Sequence, residues 1–229
     1  MGIVGTALIR LAAVAVLSLP PAAPVSAADR VGPAPKGAAY LDGGASKFGV
    51  ILLHGRGKHP KWRVVDPLRR GVHARLGYHT LSLQMPKSKS AYCRKGHPKK
   101  KQCWRQYSAL FPESYRRIRA GLDFLTAERG VAVVYLMGHS MGSRMATAFL
   151  AKYGGQALSG SSPSRERTGI AGFIGVGIRN GGGYPLDSAA SLQRIAEIPV
   201  LDVYGNGGNG KDARHAADRR KRGLTGRTT

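Results

Sequence analysis

The chain has 229 residues, with 36 Lys plus Arg against 12 Asp plus Glu and a formal net charge of +24. This length suits one domain with a full core and is too short for two comfortable ones. The positive excess points to contact with anionic surfaces, lipid headgroups, nucleic acid or acidic substrates, but it carries no information about fold.

Residues 1–27 have the layout of an export signal: Arg10, an apolar run from Leu11 to Leu19, the helix-breaking Pro20 and Pro21, and small residues ending at Ala27. The apolar run is about half the roughly 20 residues that a spanning helix needs, so no stable transmembrane segment is expected. An exported, periplasmic or secreted protein is expected instead. Residues 28–47 read as a Gly-, Ala- and Pro-rich leader with one edge strand at 38–41.

The run FGVILLHGRG then opens a domain placed at 48–212. Its strand Val50 to Leu53 is apolar without alternation, which suits a parallel sheet covered on both faces. Asp66 and Pro67 read as N-cap and first helical residue, Gly77 as the left-handed stop, and Leu68, Val72 and Leu76 as the buried face between them. TLSLQMP, residues 80–86, is the next strand.

Residues 87–107, KSKSAYCRKGHPKKKQCWRQY, form a basic insertion in which Tyr92, Trp104 and Tyr107 interleave with cations. A solvated loop is the expected reading; a basic groove with a stacking platform is the alternative. An anionic surface is the partner this insertion would meet, and nucleic acid is not the expected one. Cys93 and Cys103 enclose nine residues within it. An oxidising compartment would favour a disulfide between them, the alternative being two thiols in a loop. Only His97 lies nearby, so no metal site is expected.

Pro112 opens a helix with Tyr115, Ile118, Leu122 and Leu125 on one face, ended by Gly130. VAVVYLM, residues 131–137, is the most apolar strand, and a helix from Met141 to about Tyr153 follows without a spacer. Strands at 169–178 and 199–205 flank a short helix. Alternating strand and helix select an α/β fold, a mostly parallel sheet with helices on both faces. The segment 213–229 reads as a basic tail that starts as a helix.

Between the strand 131–137 and its helix lies GHSMG. G-x-S-x-G is a short pattern in a chain with 32 glycines, but it stands where a nucleophile requires it. Gly138 and Gly142 leave room for a tight turn that lifts the Ser140 hydroxyl above the sheet edge. The Met141 amide at the helix start would face a developing oxyanion. Earlier, His54-Gly55-Arg56-Gly57 after an apolar strand matches the turn that supplies the second donor, from the Arg56 amide.

LLHGRG followed by YLMGHSMGSRM and a late PVLDVYG strand resembles the α/β-hydrolase superfamily, most of all its small exported members. The resemblance spans about residues 48–212 and implies a three-layer sandwich. It also implies a small acyl substrate, no cofactor, and hydrolysis of an ester or related acyl bond with Ser140 as nucleophile. The acid is expected soon after the late strand, where Asp212 is the first carboxylate beyond NGGNGKD, with Asp187 as fallback. The histidine of the family pattern has no counterpart. His215 lies only three residues after Asp212, His139 adjoins the serine, His54 belongs to the oxyanion turn, and His59, His73, His79 and His97 are out of place. A C-terminally shortened fold with weak or absent turnover is therefore expected, since a hydroxyl without a base is a poor nucleophile. The alternative is a non-catalytic protein on the same frame that holds an anionic polymer or membrane surface. A dinucleotide-binding reading of GVGIRNGGG, residues 175–183, fails on its glycine spacing.

Overall fold

The computed structural model describes residues 33–88, 106–158, 170–195, 198–205, 210–222 and 224. All of them fall within the unit Val31–Thr229. The segment expected to be an export signal, both cysteines and most of the basic insertion lie outside the described residues.

Two uninterrupted apolar strands make the middle of the sheet. β2 (Phe48–Leu53) pairs in parallel with β4 (Val133–His139), Ile51 opposite Leu136 and Leu53 opposite Gly138. Outward from this pair, β3 (His79–Leu83) lies parallel to β2, and β5 (Ile170–Val176) and β6 (Val200–Val203) continue in parallel from β4. β1 (Ala39–Leu41) closes one edge antiparallel to β3, giving the order β1-β3-β2-β4-β5-β6. The edge strand called at 38–41 is thus present.

The absence of alternation in β2 has a direct cause. Ile51 and Leu53 point into a large core with Ile118, Leu122, Phe149 and Phe173, while Val50 and Leu52 point into a second core with Val65 and the flanking Trp62, Leu68 and Val72. Each face of the strand meets its own helical layer, so every position must be apolar. α1 (Val65–Leu76) covers one face; α2 (Phe111–Asp123) and α3 (Met141–Leu158) cover the other. This is the three-layer α/β sandwich expected from the sequence.

The helix ends follow local chemistry with two departures. Gly77 adopts φ 65° and its amide donates to His73 O at 2.8 Å, the expected left-handed stop. Asp66, however, is not the N-cap. The helix starts one residue before it, and its carboxylate instead accepts from Arg69 at 2.7 Å and pairs with Arg70 at 3.1 Å. α2 opens with Pro112 in its first turn and buries Tyr115, Ile118 and Leu122 as its spacing predicts. It then widens into a π-helical turn at Phe124–Glu128, which keeps both Phe124 and Leu125 buried.

Tyr107, expected in a solvated basic loop with a stacking platform as the alternative, is instead a core residue at 4% exposure. Burial pushes its phenol up from the ordinary range, and a ring packed there offers no platform for a base.

The chain after β5 is held by two buried arginines. Arg144, in the first turn of α3, donates to Gly181 O at 2.7 Å, to Asn180 O at 3.2 Å and to Leu186 O. Arg219 lies on α5 (Lys211–Lys221), the helix that continues through the 212/213 boundary drawn from sequence. It is fully buried and donates to Asp202 Oδ2 from Nε at 3.0 Å and from Nη2 at 2.6 Å. Its Nη1 reaches Ile178 O and Asn180 Oδ1, both at 3.0 Å.

Candidate active site

Strand β4 ends at His139 and helix α3 begins at Met141, so a single residue makes the turn. That residue is Ser140, with φ 55°, the one non-glycine residue at positive φ among those described. A side chain in this region costs about 1–2 kcal/mol, and it persists only where the surroundings over-determine it. Here the Ser140 amide donates to Val176 O at 3.1 Å, and the Ser143 hydroxyl donates back to Gly138 O at 2.6 Å.

The flanking glycines are required by contact. A Cβ on Gly138 would stand 2.6 Å from Ser143 Cα, and one on Gly142 would stand 2.2 Å from Leu53 O. The helix therefore starts jammed against β4 and the end of β2, with Ser140 at the turn between them. Ser140→Gly is expected to stabilise the fold by about 1 kcal/mol by releasing the left-handed side chain. Urea denaturation would read this as a raised midpoint at unchanged slope.

The oxyanion turn packs directly on this elbow. A Cβ on Gly55 would lie 3.5 Å from Ser140 Cβ and a tight 3.1 Å from His139 Nδ1, so the two strand ends meet closely here. Arg56 follows on the exposed turn, which closes by the Lys58 amide donating to Gly55 O at 3.2 Å. Met141, as first residue of α3, carries an amide with no intrahelical acceptor. The two amides proposed as oxyanion donors thus lie on the two segments that meet at Gly55 and Ser140.

His54 holds the turn in place. Its Nε2 accepts from the Met85 amide at 3.0 Å, so the remaining proton is on Nδ1 and donates to Gly55 O at 2.9 Å. Burial is the main reason its pKa is pushed down to about 4. The group is neutral when folded, and the unfolded chain takes up its proton first as pH falls. Stability from His54 is thus full above its ordinary value near 6.5 and is lost towards pH 4. His54→Gln is expected to flatten this acid limb by on the order of 3 kcal/mol, measured as the difference between the two proteins' unfolding free energies at pH 7 and pH 4.

The acid and base positions come out differently. Asp212 sits in the first turn of α5 with Oδ2 3.5 Å from where a Cβ on Gly177 would be, one residue past the Val176 carbonyl that holds the Ser140 amide. Its carboxylate pairs with Arg179 at 2.7 Å. The fallback Asp187 caps helix α4 (Ser188–Leu192), accepting from the amides of Ala189 at 2.9 Å and Ala190 at 3.4 Å. Asp202 is bound to Arg219.

Among the described residues no histidine is hydrogen-bonded to Asp212, and none to the Ser140 hydroxyl. His59 packs its ring edge on Trp62, His73 Nδ1 lies 3.1 Å from Tyr78 O, and His79 Nδ1 accepts from the Gly43 amide at 3.2 Å. His215 is pushed down first by burial and then by Arg179 and Arg219. His139 is pushed down by burial, with Asp212 opposing and Arg179 and Lys58 reinforcing; its Nδ1 is buried without a hydrogen-bond partner. Sequence reasoning did not identify Arg144 or Arg219 as determinants of this region. An arginine four residues past the serine, in a helix otherwise rich in apolar residues, was the available signal for the first.

The layered sheet and the elbow define an α/β-hydrolase fold. The structure is similar to a cold-adapted esterase from an Arctic intertidal metagenomic library, with TM-score 0.54 and 19% identity over 82% of this chain and 74% of that one. It is also similar to esterase B of Lactobacillus rhamnosis, with TM-score 0.52 and 14% identity over 84% and 75%. For a dienelactone hydrolase of Anabaena variabilis the TM-score is 0.51, with 16% identity over 80% and 73%. No protein-family model matches the sequence, and no curated protein matches it.

Proposed function

We propose that the protein is an exported serine hydrolase acting on an ester or related acyl bond. The observation that carries this reading is Ser140 at φ 55° between β4 and α3, packed against the Gly55 turn. In the proposed reaction, Ser140 Oγ attacks the acyl carbon, the alcohol leaves, and an acyl-serine forms. The amides of Met141 and Arg56 hold the oxyanion, and such donors are worth about 10²–10³ in rate each. With no imidazole acceptor among the described residues, the hydroxyl proton passes through solvent to the departing alcohol, and deacylation by water is expected to be slow. Asp212, beside Gly177 and paired with Arg179, is the carboxylate proposed as the acid of the site.

Oxyanion binding alone sustains roughly 10³–10⁴ over the uncatalysed rate when a triad member is lost. With p-nitrophenyl acetate, the expected result is release of p-nitrophenol up to one equivalent per chain, followed by a much slower phase, both absent in Ser140→Ala. Release identical in the two proteins would refute the proposal. That no described histidine is hydrogen-bonded to the Ser140 hydroxyl favours a second reading, a non-catalytic protein that binds an anionic surface. Adsorption to anionic vesicles that weakens steeply with salt, with no difference between wild type and Ser140→Ala towards acyl probes, would support it.

A further inference from the structure

The charges around Ser140 are unevenly distributed. The oxyanion turn carries Arg56, which is exposed, and Lys58, whose ammonium is held 3.7 Å over the Trp62 ring. Across the elbow, Arg179 follows three residues after Val176, the acceptor of the Ser140 amide. Its side chain is 35% exposed and pairs with Asp212 through Nη2 at 2.7 Å. A guanidinium has five N–H donors, and the described residues offer Arg179 no second acceptor. At His139, the neighbour of the nucleophile, the Asp212 carboxylate is felt most strongly among the charges, with Arg179 and then Lys58 opposing it. Three cations and one carboxylate therefore lie on the segments that flank the serine, and the carboxylate is ion-paired with one of those cations.

We propose that the acyl substrate of Ser140 carries an anionic group, a carboxylate on its acyl chain, seated on the Arg179 guanidinium. This rests on the proposed role of Ser140 as nucleophile. A guanidinium beside one carboxylate keeps N–H donors for a second, and cations flanking a site raise the encounter rate of anions by 10-fold or more at low salt.

The test compares two probes on the full chain: a p-nitrophenyl alkylphosphonate with a neutral alkyl group, and its analogue whose alkyl chain ends in a carboxylate. The carboxylate probe is expected to modify Ser140 about ten times faster at low salt, with the ratio falling as salt is added. In Arg179→Gln the ratio is expected to approach one, whereas Arg75→Gln, which removes one exposed charge from α1, keeps it. Equal rates in the wild type, or a ratio unchanged in Arg179→Gln, would overturn the inference and leave the nucleophile standing. Modification by neither probe would overturn the nucleophile itself.

Discussion

Gly142→Ala is expected to lose at least about 3 kcal/mol of stability, at or above the upper end of overpacking costs. The added methyl carbon would stand 2.2 Å from Leu53 O, 2.7 Å from Leu53 C and 2.8 Å from His54 O. All three atoms are backbone, so no side chain can swing aside. Relief requires α3 to move off the end of β2, which opens the elbow and separates Ser140 from the Gly55 turn. Because whole domains have only about 5–15 kcal/mol in hand, the transition should shift visibly in urea. Gly71→Ala is the control: it lies within α1, nothing is within 4 Å of its Cβ position, and its φ is not positive. That change is expected to stabilise by about 0.4–1 kcal/mol. An alanine at 142 tolerated as well as one at 71 would mean that the elbow is not packed as described.

Arg219→Met is expected to cost about 3–5 kcal/mol, the range for removing one partner of a buried ion pair. The side chains of Arg219 and Asp202 are 0% and 7% exposed. Without the guanidinium, Asp202 keeps a charge that neither water nor another described side chain satisfies, and Ile178 O and Asn180 Oδ1 lose their donor. The double change Arg219→Met with Asp202→Leu is expected to recover much of the loss, since a buried pair replaced by apolar groups is often near neutral. Urea denaturation of the two single variants and the double variant gives the coupling directly. Additive losses would show that the pair does not act as a unit.

The elbow was legible in the sequence because its determinants are local and backbone-imposed. Glycines at 138 and 142 and an apolar run ending at the turn mark the geometry in the sequence, although the contact that requires Gly142 comes from the end of β2. The strands were legible for a related reason: burial on both faces removes alternation, and β2 and β4 show that plainly. The start of α1 was misplaced because Asp66 has two uses, capping or pairing, and the arginines three and four residues on drew its carboxylate into pairing. The π-helical turn after α2 leaves no pattern that a 3.6-residue period would reveal.

Arg219 was hidden for a different reason. It stands in the run Arg219-Arg220-Lys221, and composition alone makes the three look equally solvated. The spacing of Asp212, Ala216 and Arg219 puts them on one helix face, but with alanine as its only apolar member that face reads as polar. The partner, Asp202, comes from β6, and only the fold brings the two together. The same holds for the pair of Arg179 and Asp212: each residue was visible, and their meeting beside Gly177 was not.

The most direct test of the account is covalent. The folded protein is incubated with a p-nitrophenyl phosphonate and digested, and the modified residue is located by mass spectrometry. A single phosphonyl group on Ser140, absent in Ser140→Ala and in protein unfolded in urea, is the predicted result. An unmodified Ser140 in folded protein under excess probe, or modification spread over several serines, would contradict it.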